Sequence, residues 1–236
     1  MGAADKVIRI MQQSGYSPRL LTIAALFVTC LIISNITAVK LISVHGFVMT
    51  AANVLFPISY IIGDVLTEVY GYAKARRVIW LGFGCNLVAV LAIYVAGILP
   101  GADFWEGQGA WDQILGAAPR ILLASFCAYL VGEFLNSYVL AKMKIATNGK
   151  YLWTRTIGST VVGQLADTSI FMTLAFGGIL PLGVMMNAAG TEWVSKVGYE
   201  ILATPFTYLV VAWLKRVEGI DFYDRNTRFN PVLLTD

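Results

Sequence analysis

Long apolar runs separated by short polar connections dominate the chain, and within each run the apolar residues are continuous rather than strictly alternating. Six runs, at approximately 20–41, 47–69, 78–99, 119–141, 157–180 and 192–214, each hold at least 22 residues. At 1.5 Å per residue that is ~33 Å or more, against a hydrocarbon core of about 30 Å. Continuous apolarity predicts helices rather than the alternating strands of an outer-membrane barrel. The expected fold is an all-α polytopic membrane protein: an N-terminal segment 1–19, a bundle of six transmembrane helices over 20–216, and a polar tail 217–236 expected to be a loose end.

Composition strengthens this reading. Of 236 residues, 58% are hydrophobic and only 13% charged, and the mean hydropathy is +0.71. An ordinary soluble domain carries about 25% charge, so this chain cannot cover a water-facing surface. The first run is too long for a signal-peptide core and contains Asn35 and Lys40, which predicts a retained helix. The start MGAADK has Lys6 where a myristoylation signal wants Ser or Thr, so no lipid anchor is expected. Cys30, Cys85 and Cys127 all fall within runs and read as small packing residues. With a single histidine, His45, in a short connection, no metal site and no cofactor are expected.

Charge then orients the chain. Fourteen of the seventeen Lys and Arg residues fall in the N-terminal segment (Lys6, Arg9, Arg19), the second connection (Lys74, Arg76, Arg77), the fourth (Lys142, Lys144, Lys150, Arg155) and the tail (Lys215, Arg216, Arg225, Arg228). The connection 100–119 holds none, but carries Asp103, Glu106 and Asp112. The positive-inside rule therefore places both termini in the cytoplasm and the acidic connection outside. Trp105, Trp111 and Trp193 then fall near the outer interface and Trp153 and Trp213 near the inner one, as an aromatic belt would.

Against that background the polar residues inside the runs stand out. Asp64, Glu133, Asp167, Lys196 and Glu200 lie well within predicted helices, and Glu68 lies near the cytoplasmic end of its own. At ~2.5–3.5 kcal/mol each on insertion scales, the first five cost roughly 12–17 kcal/mol together. They must therefore face one another or a wet cavity rather than lipid. Spacings of three or four put Asp64 with Glu68, Glu133 with Asn136, Gln164 with Asp167 and Thr168, and Lys196 with Glu200 on shared helical stripes. A seam Asn53, Pro57, Tyr60, Asp64 runs along the second helix. A small-residue stripe Ala124, Ala128, Gly132 on the fourth ends in Asn136 and would admit a close neighbour. Pro57 and Pro205 would free the carbonyls of Asn53 and Ile201 within helices. Structural roles compete for several of these groups: a Lys196–Glu200 ion pair, Glu68 as a solvated end charge, and Asp64 tied to Lys74 or Arg76.

Three function classes follow. A small-solute transporter uses the buried groups to line a cavity. An intramembrane protease is excluded by the lack of a Gly-x-Ser-x-Gly turn and of a His-Glu-x-x-His pair. A structural subunit leaves the cost of the buried charges without a return. No nucleic-acid-binding feature occurs. The stretches IIGDVLTEVYGYAKARRVIW (61–80), VVGQLADTSIF (161–171) and WVSKVGYEILATPFTY (193–208) resemble the queuosine precursor transporters, also called the VUT family. The resemblance implies a multi-pass protein of a bacterial inner membrane that imports 7-cyano-7-deazaguanine or its 7-aminomethyl relative for transfer-RNA modification. It supports Asp64, Asp167, Lys196 and Glu200 as motif members without assigning their roles.

Such a substrate fits the residues. A guanine-like edge presents a ring N–H beside an amine, and one carboxylate, Asp167 or Glu133, accepts both. Gln164, Asn136 or Lys196 would donate to its carbonyl, and Tyr60, Phe171 or Tyr199 would stack on the ring. Asn53, Asp64 and Glu200 complete the expected site. Energy coupling is open between protons carried by a buried acid and energising partner subunits, as in an energy-coupling-factor transporter for another vitamin-like or purine-like solute. A homodimer is a further option.

Overall fold

The computed structural model describes residues 17–44, 47–116 and 119–233; Lys6, Arg9 and His45 lie outside the described residues, as do the side chains of Asn53, Pro57 and Tyr60. Helix α1 spans Pro18–Thr37. An antiparallel hairpin follows, β1 (Leu41–Val44) paired with β2 (Phe47–Thr50), Leu41 opposite Thr50 and Val44 opposite Phe47. A 3₁₀ turn (Ala51–Val54) leads into the ten-residue α2 (Phe56–Val65), which continues as a π turn (Leu66–Tyr70). Then come α3 (Tyr72–Ile98), α4 (Gln108–Leu115), α5 (Pro119–Ala146), α6 (Leu152–Phe176) and the 37-residue α7 (Leu182–Glu218).

Among the described residues there are thus seven α-helices. Four segments are long and apolar enough to cross a membrane: Pro18–Thr37, Tyr72–Ile98, Leu123–Ala146 and Leu182–Glu218. The 25-residue α6 has the length, ~37 Å, but carries Arg155, Thr156, Ser159, Thr160, Gln164, Asp167 and Thr168 along it. The expected helix at 47–69 is not one helix. Its first third is a strand and a 3₁₀ turn, because a short β-branched apolar run such as Phe47–Thr50 has no helical period to distinguish it from a strand. Pro57 accordingly sits in the first turn of α2, where it needs no hydrogen-bond partner, rather than inside a helix. Pro205 does lie inside α7, which runs on through it.

At one end of the bundle a buried ion cluster ties the elements together. Glu68, in the π turn, is 0% exposed. Its carboxylate accepts from Arg155 Nε at 2.7 Å and from a terminal guanidinium nitrogen at 2.9 Å, and from Lys215 Nζ at 2.6 Å; Lys144 Nζ is 3.5 Å away. Lys144 also donates to the Glu68 backbone oxygen and, at 2.6 Å, to Asp221. Glu68 is therefore not a solvated end charge. It joins α2, α5, α6 and α7 through three cations, two of them almost fully buried.

The tail is not loose. Phe222 donates its backbone N–H to Val69 O at 3.3 Å, and the Asp224 carboxylate accepts the Tyr72 N–H at 3.0 and 3.1 Å. Arg76 holds the backbone oxygens of Arg228 and Asn230, both at 2.9 Å, and Trp80 holds that of Pro231 at 2.8 Å. Gly71 makes this docking possible: its φ of +85° suits glycine, and a Cβ there would lie 2.3 Å from the Phe222 ring. At the same end Ser17 caps α1 and donates to Glu218, which also pairs with Arg19 at 3.4 Å. The apolar core, including Leu20, Phe27, Leu66, Val69, Leu152 and Leu214, packs beside this cluster.

Removing one partner of a buried ion pair strands the other charge, at a cost of about 3–5 kcal/mol. Glu68→Gln and Arg155→Met are each expected to lower the thermal midpoint of the detergent-purified protein steeply, whereas Arg19→Met, in an exposed pair worth under ~1 kcal/mol, shifts it little. Burial pushes the Asp221 carboxyl up, but Lys144 and Lys215 outweigh it and hold it below the usual carboxylate range. A depressed pKa stabilises above the ordinary Asp value of about 3.9 and is lost as pH falls through the folded value. Tail docking should accordingly be constant from neutral pH to about 4 and weaken below it, read as pepsin cleavage between residues 219 and 231.

Candidate functional site

The middle of the bundle is set by the contact of α5 with α6. A Cβ on Gly132 would lie 2.8 Å from Asp167 Cβ, and one on Gly163 would lie 2.9 Å from both Asn136 Cβ and Gly132 O. Ala124 and Ala128, two turns and one turn before Gly132, are buried with it, so the small-residue stripe lets the backbones meet. This approach brings Glu133 on α5 beside Gln164 and Asp167 on α6.

A cavity of about 80 Å³ lies there, lined by Phe27, Leu31 and Ser34 of α1, Ser59 of α2, Tyr129, Gly132 and Glu133 of α5, Gln164 and Asp167 of α6, and Lys196 of α7. Lys196 Nζ lies 2.8 Å from Asp167 Oδ2 and 2.9 Å from Glu192 Oε1. Lys196 thus pairs with these two acids, while neither carboxylate oxygen of Glu200 has a hydrogen-bond partner among the described residues. Trp193 donates to Val161 O at 3.0 Å, fixing this turn of α7 against α6. Tyr129 donates to Ile79 O at 3.3 Å, which aims its ring across the cavity wall. Gln164 is buried with Oε1 unpartnered among the described residues, and so is Thr168 Oγ1 one turn on. A ligand carrying N–H groups would find here two carboxylates, an amide oxygen and an ammonium group within one small chamber.

Of the residues expected from the sequence, Glu133, Gln164, Asp167 and Lys196 come together at the cavity. Asp64, Asn136 and Glu200 lie outside its lining, and Asn136 Nδ2 donates to Asp64 Oδ1 at 3.1 Å. Phe171 instead packs edge-on to Phe176 at 6.0 Å, and Tyr199 is half-buried elsewhere on α7. The aromatic walls are Phe27 and Tyr129. Tyr129 sits one turn before Glu133, and Phe27, Leu31 and Ser34 form a stripe on α1; both patterns were legible in helical spacing. Glu192, four before Lys196, was equally readable as its partner.

A family described as "Putative vitamin uptake transporter" matches residues 50–210, more than half of the chain. The chain belongs to this family. Glu68 and the polar cavity residues from Ser59 to Lys196 fall within the matched segment, while the α1 wall and the docked tail fall outside it. The "Probable queuosine precursor transporter" of Bacillus subtilis (strain 168) is 32% identical over 176 residues, 74% of this chain and 77% of the relative. The "Queuosine precursor transporter" of Escherichia coli (strain K12) is 31% identical over 135 residues, 57% of this chain and 58% of the relative. A "Probable queuosine precursor transporter" of Haemophilus influenzae is 27% identical over 142 residues, 60% of this chain and 58% of the relative. No solved structure matches. With transporters as relatives and apolar helices of spanning length, this member of the vitamin uptake transporter family is a membrane transporter and not an enzyme.

Gly163 tests how far the site depends on close helix packing. Gly163→Val inserts atoms against Asn136 and Gly132, and overpacking of this kind costs about 1–3 kcal/mol. A lowered thermal midpoint is expected, while Gly84→Ala, where a Cβ meets nothing within 4 Å, leaves it equal or higher.

Proposed function

We propose that the chain imports a queuosine precursor, 7-cyano-7-deazaguanine or its 7-aminomethyl relative, across a bacterial inner membrane. In this reading the segments that contain α1, α2 with its π turn, α3, α5, α6 and α7 make six passages, both termini are cytoplasmic, and the ion cluster with its docked tail closes the cytoplasmic end. Uptake is coupled to proton movement. The observation that carries the substrate assignment is the chamber holding Glu133, Gln164 and the Asp167–Lys196 pair, with Phe27 and Tyr129 in its lining.

The chemistry runs as follows. Asp167 or Glu133 accepts the ring N–H and exocyclic amine of the guanine-like edge, Lys196 or the Gln164 amide donates to its carbonyl, and a ring stacks on the bicyclic plane. At about 30 Å³ per water the 80 Å³ chamber holds two or three waters, well below the 300 Å³ or more of ordinary ligand pockets. The chamber is thus too small for the substrate, which enters when α1 or α7 moves away from the α5–α6 pair. The Lys196–Asp167 bond is then exchanged for bonds to the ligand.

Binding of 7-cyano-7-deazaguanine, 7-aminomethyl-7-deazaguanine, guanine and adenine to the purified full-length protein tests this. The guanine-edged ligands should bind and adenine should not. Asp167→Asn should weaken binding about 10- to 150-fold, the equivalent of a charged hydrogen bond worth ~1.5–3 kcal/mol. Equal binding of adenine overturns the substrate class, and unaltered binding by Asp167→Asn and Glu133→Gln alike overturns the site.

A further inference from the structure

One pair of buried acids takes no part in the chamber. Asp64 on α2 and Glu200 on α7 are both 0% exposed. Of their four carboxylate oxygens, three have no hydrogen-bond partner among the described residues: Asp64 Oδ2 and both oxygens of Glu200. The fourth is held by Asn136, itself 6% exposed, whose own Oδ1 is also unpartnered. Helix α2 packs on α7, and Glu200 lies near enough to act on Asp64, as do Glu133 from α5 and Glu68 four residues on. The cations closest along the chain are engaged: Lys196 with Asp167 and Glu192, and Arg155, Lys144 and Lys215 with Glu68.

Three acceptor oxygens on two fully buried carboxylates, with no donor aimed at them among the described residues, require something positive. Two ionised carboxylates taken from water and left near each other would be far costlier than a pair holding one proton, because burial penalises each charge and each disfavours the other. One proton removes one charge and supplies an O–H donor for an orphaned oxygen, as in carboxyl pairs elsewhere. We infer that Asp64 and Glu200 form a proton-binding site, separate from the substrate chamber, that takes up one exchangeable proton per transport cycle. Asn136 is its positioning residue: it holds Asp64 from the same turn of α5 that carries Glu133 into the chamber. A shift of α5 on substrate binding therefore reaches both sites. The inference rests on the transport function proposed above and gives its coupling proton a place.

Full-length protein reconstituted alone in liposomes tests it with 7-cyano-7-deazaguanine as probe. For the wild type an inward proton gradient should drive accumulation and a sodium gradient of equal size should not. Asp64→Asn and Glu200→Gln should each lose at least tenfold of gradient-driven accumulation while equilibrium exchange without a gradient stays within about threefold. Glu200→Asp should keep part of the coupling, which a merely structural residue would not predict. An infrared band of a protonated carboxyl in the wild type at neutral pH, absent from the Asp64→Asn/Glu200→Gln double variant, reads the proton without any transport. Sodium-driven uptake, full coupling in both single variants, or a carboxyl band unaffected by the double variant overturns the site. Failure of the wild type to bind or exchange the probe instead overturns the proposed substrate, and the infrared comparison still decides the proton site.

Discussion

No charge inside this bundle can be left to itself, and the arrangement of α2, α5, α6 and α7 is in large part the solution to that constraint. A carboxylate in hydrocarbon costs several kilocalories per mole unless a cation or donor meets it. Glu68 meets three cations from three different helices. An approximate assembly does not satisfy it, since the fork of Arg155 must engage both oxygens while Lys215 approaches one of them. Apolar packing against lipid gives no such discrimination, because side chains such as Leu81, Val88 and Leu202 are exposed and as content with acyl chains as with one another. The ion cluster thus fixes helix positions that hydrophobicity alone would leave free.

Following each helix from the cluster gives the same order of polar layers. On α2 Glu68 is preceded by Asp64; on α5 Lys144 is preceded by Asn136 and then Glu133; on α6 Arg155 is followed by Gln164 and Asp167; on α7 Lys215 is preceded by Glu200 and then Lys196. The chain therefore carries a charged clamp at one end, an acid pair with Asn136 next, and the chamber beyond. Adjacent layers share backbone: Asp64 and Glu68 are one helical turn apart, as are Lys196 and Glu200 and, nearly, Glu133 and Asn136. A rigid shift of any of these helices moves two layers together, which is the mechanical requirement for coupling two sites.

Much of this was legible in the sequence, and the reasons differ by element. The long helices were readable because continuous apolar runs leave few alternatives, and the buried acids because their cost demands a partner. Spacing also showed which of them share a stripe. It could not choose partners across helices: Lys196 and Glu200 are four apart, yet Lys196 turns to Asp167 and to Glu192 on the preceding turn. Nor could it show that Phe27 and Tyr129, rather than Phe171 and Tyr199, wall the chamber, because an aromatic in an apolar run looks the same whether it faces lipid, core or cavity. The hairpin at 41–50 was hidden for a related reason: hydropathy records that a segment is apolar and not whether it is helical.

The docked tail is the feature least visible in the sequence and the one whose cause is plainest in the structure. The π turn ends at Tyr70, Gly71 turns the chain with positive φ, and α3 starts at Tyr72 without a side-chain cap of its own. Such a break exposes terminal carbonyls on one side and terminal N–H groups on the other, and here both are buried away from water. Lys144 and the Phe222 N–H take the carbonyls of Glu68 and Val69, and the Asp224 carboxylate takes the Tyr72 N–H at the positive end of α3. Two of these three partners come from about 150 residues downstream, a distance at which no local pattern signals them. A tail that reads as polar and short is thus the cap of a buried helix break. Because the same break carries Glu68, the clamp and the tail hold or release together.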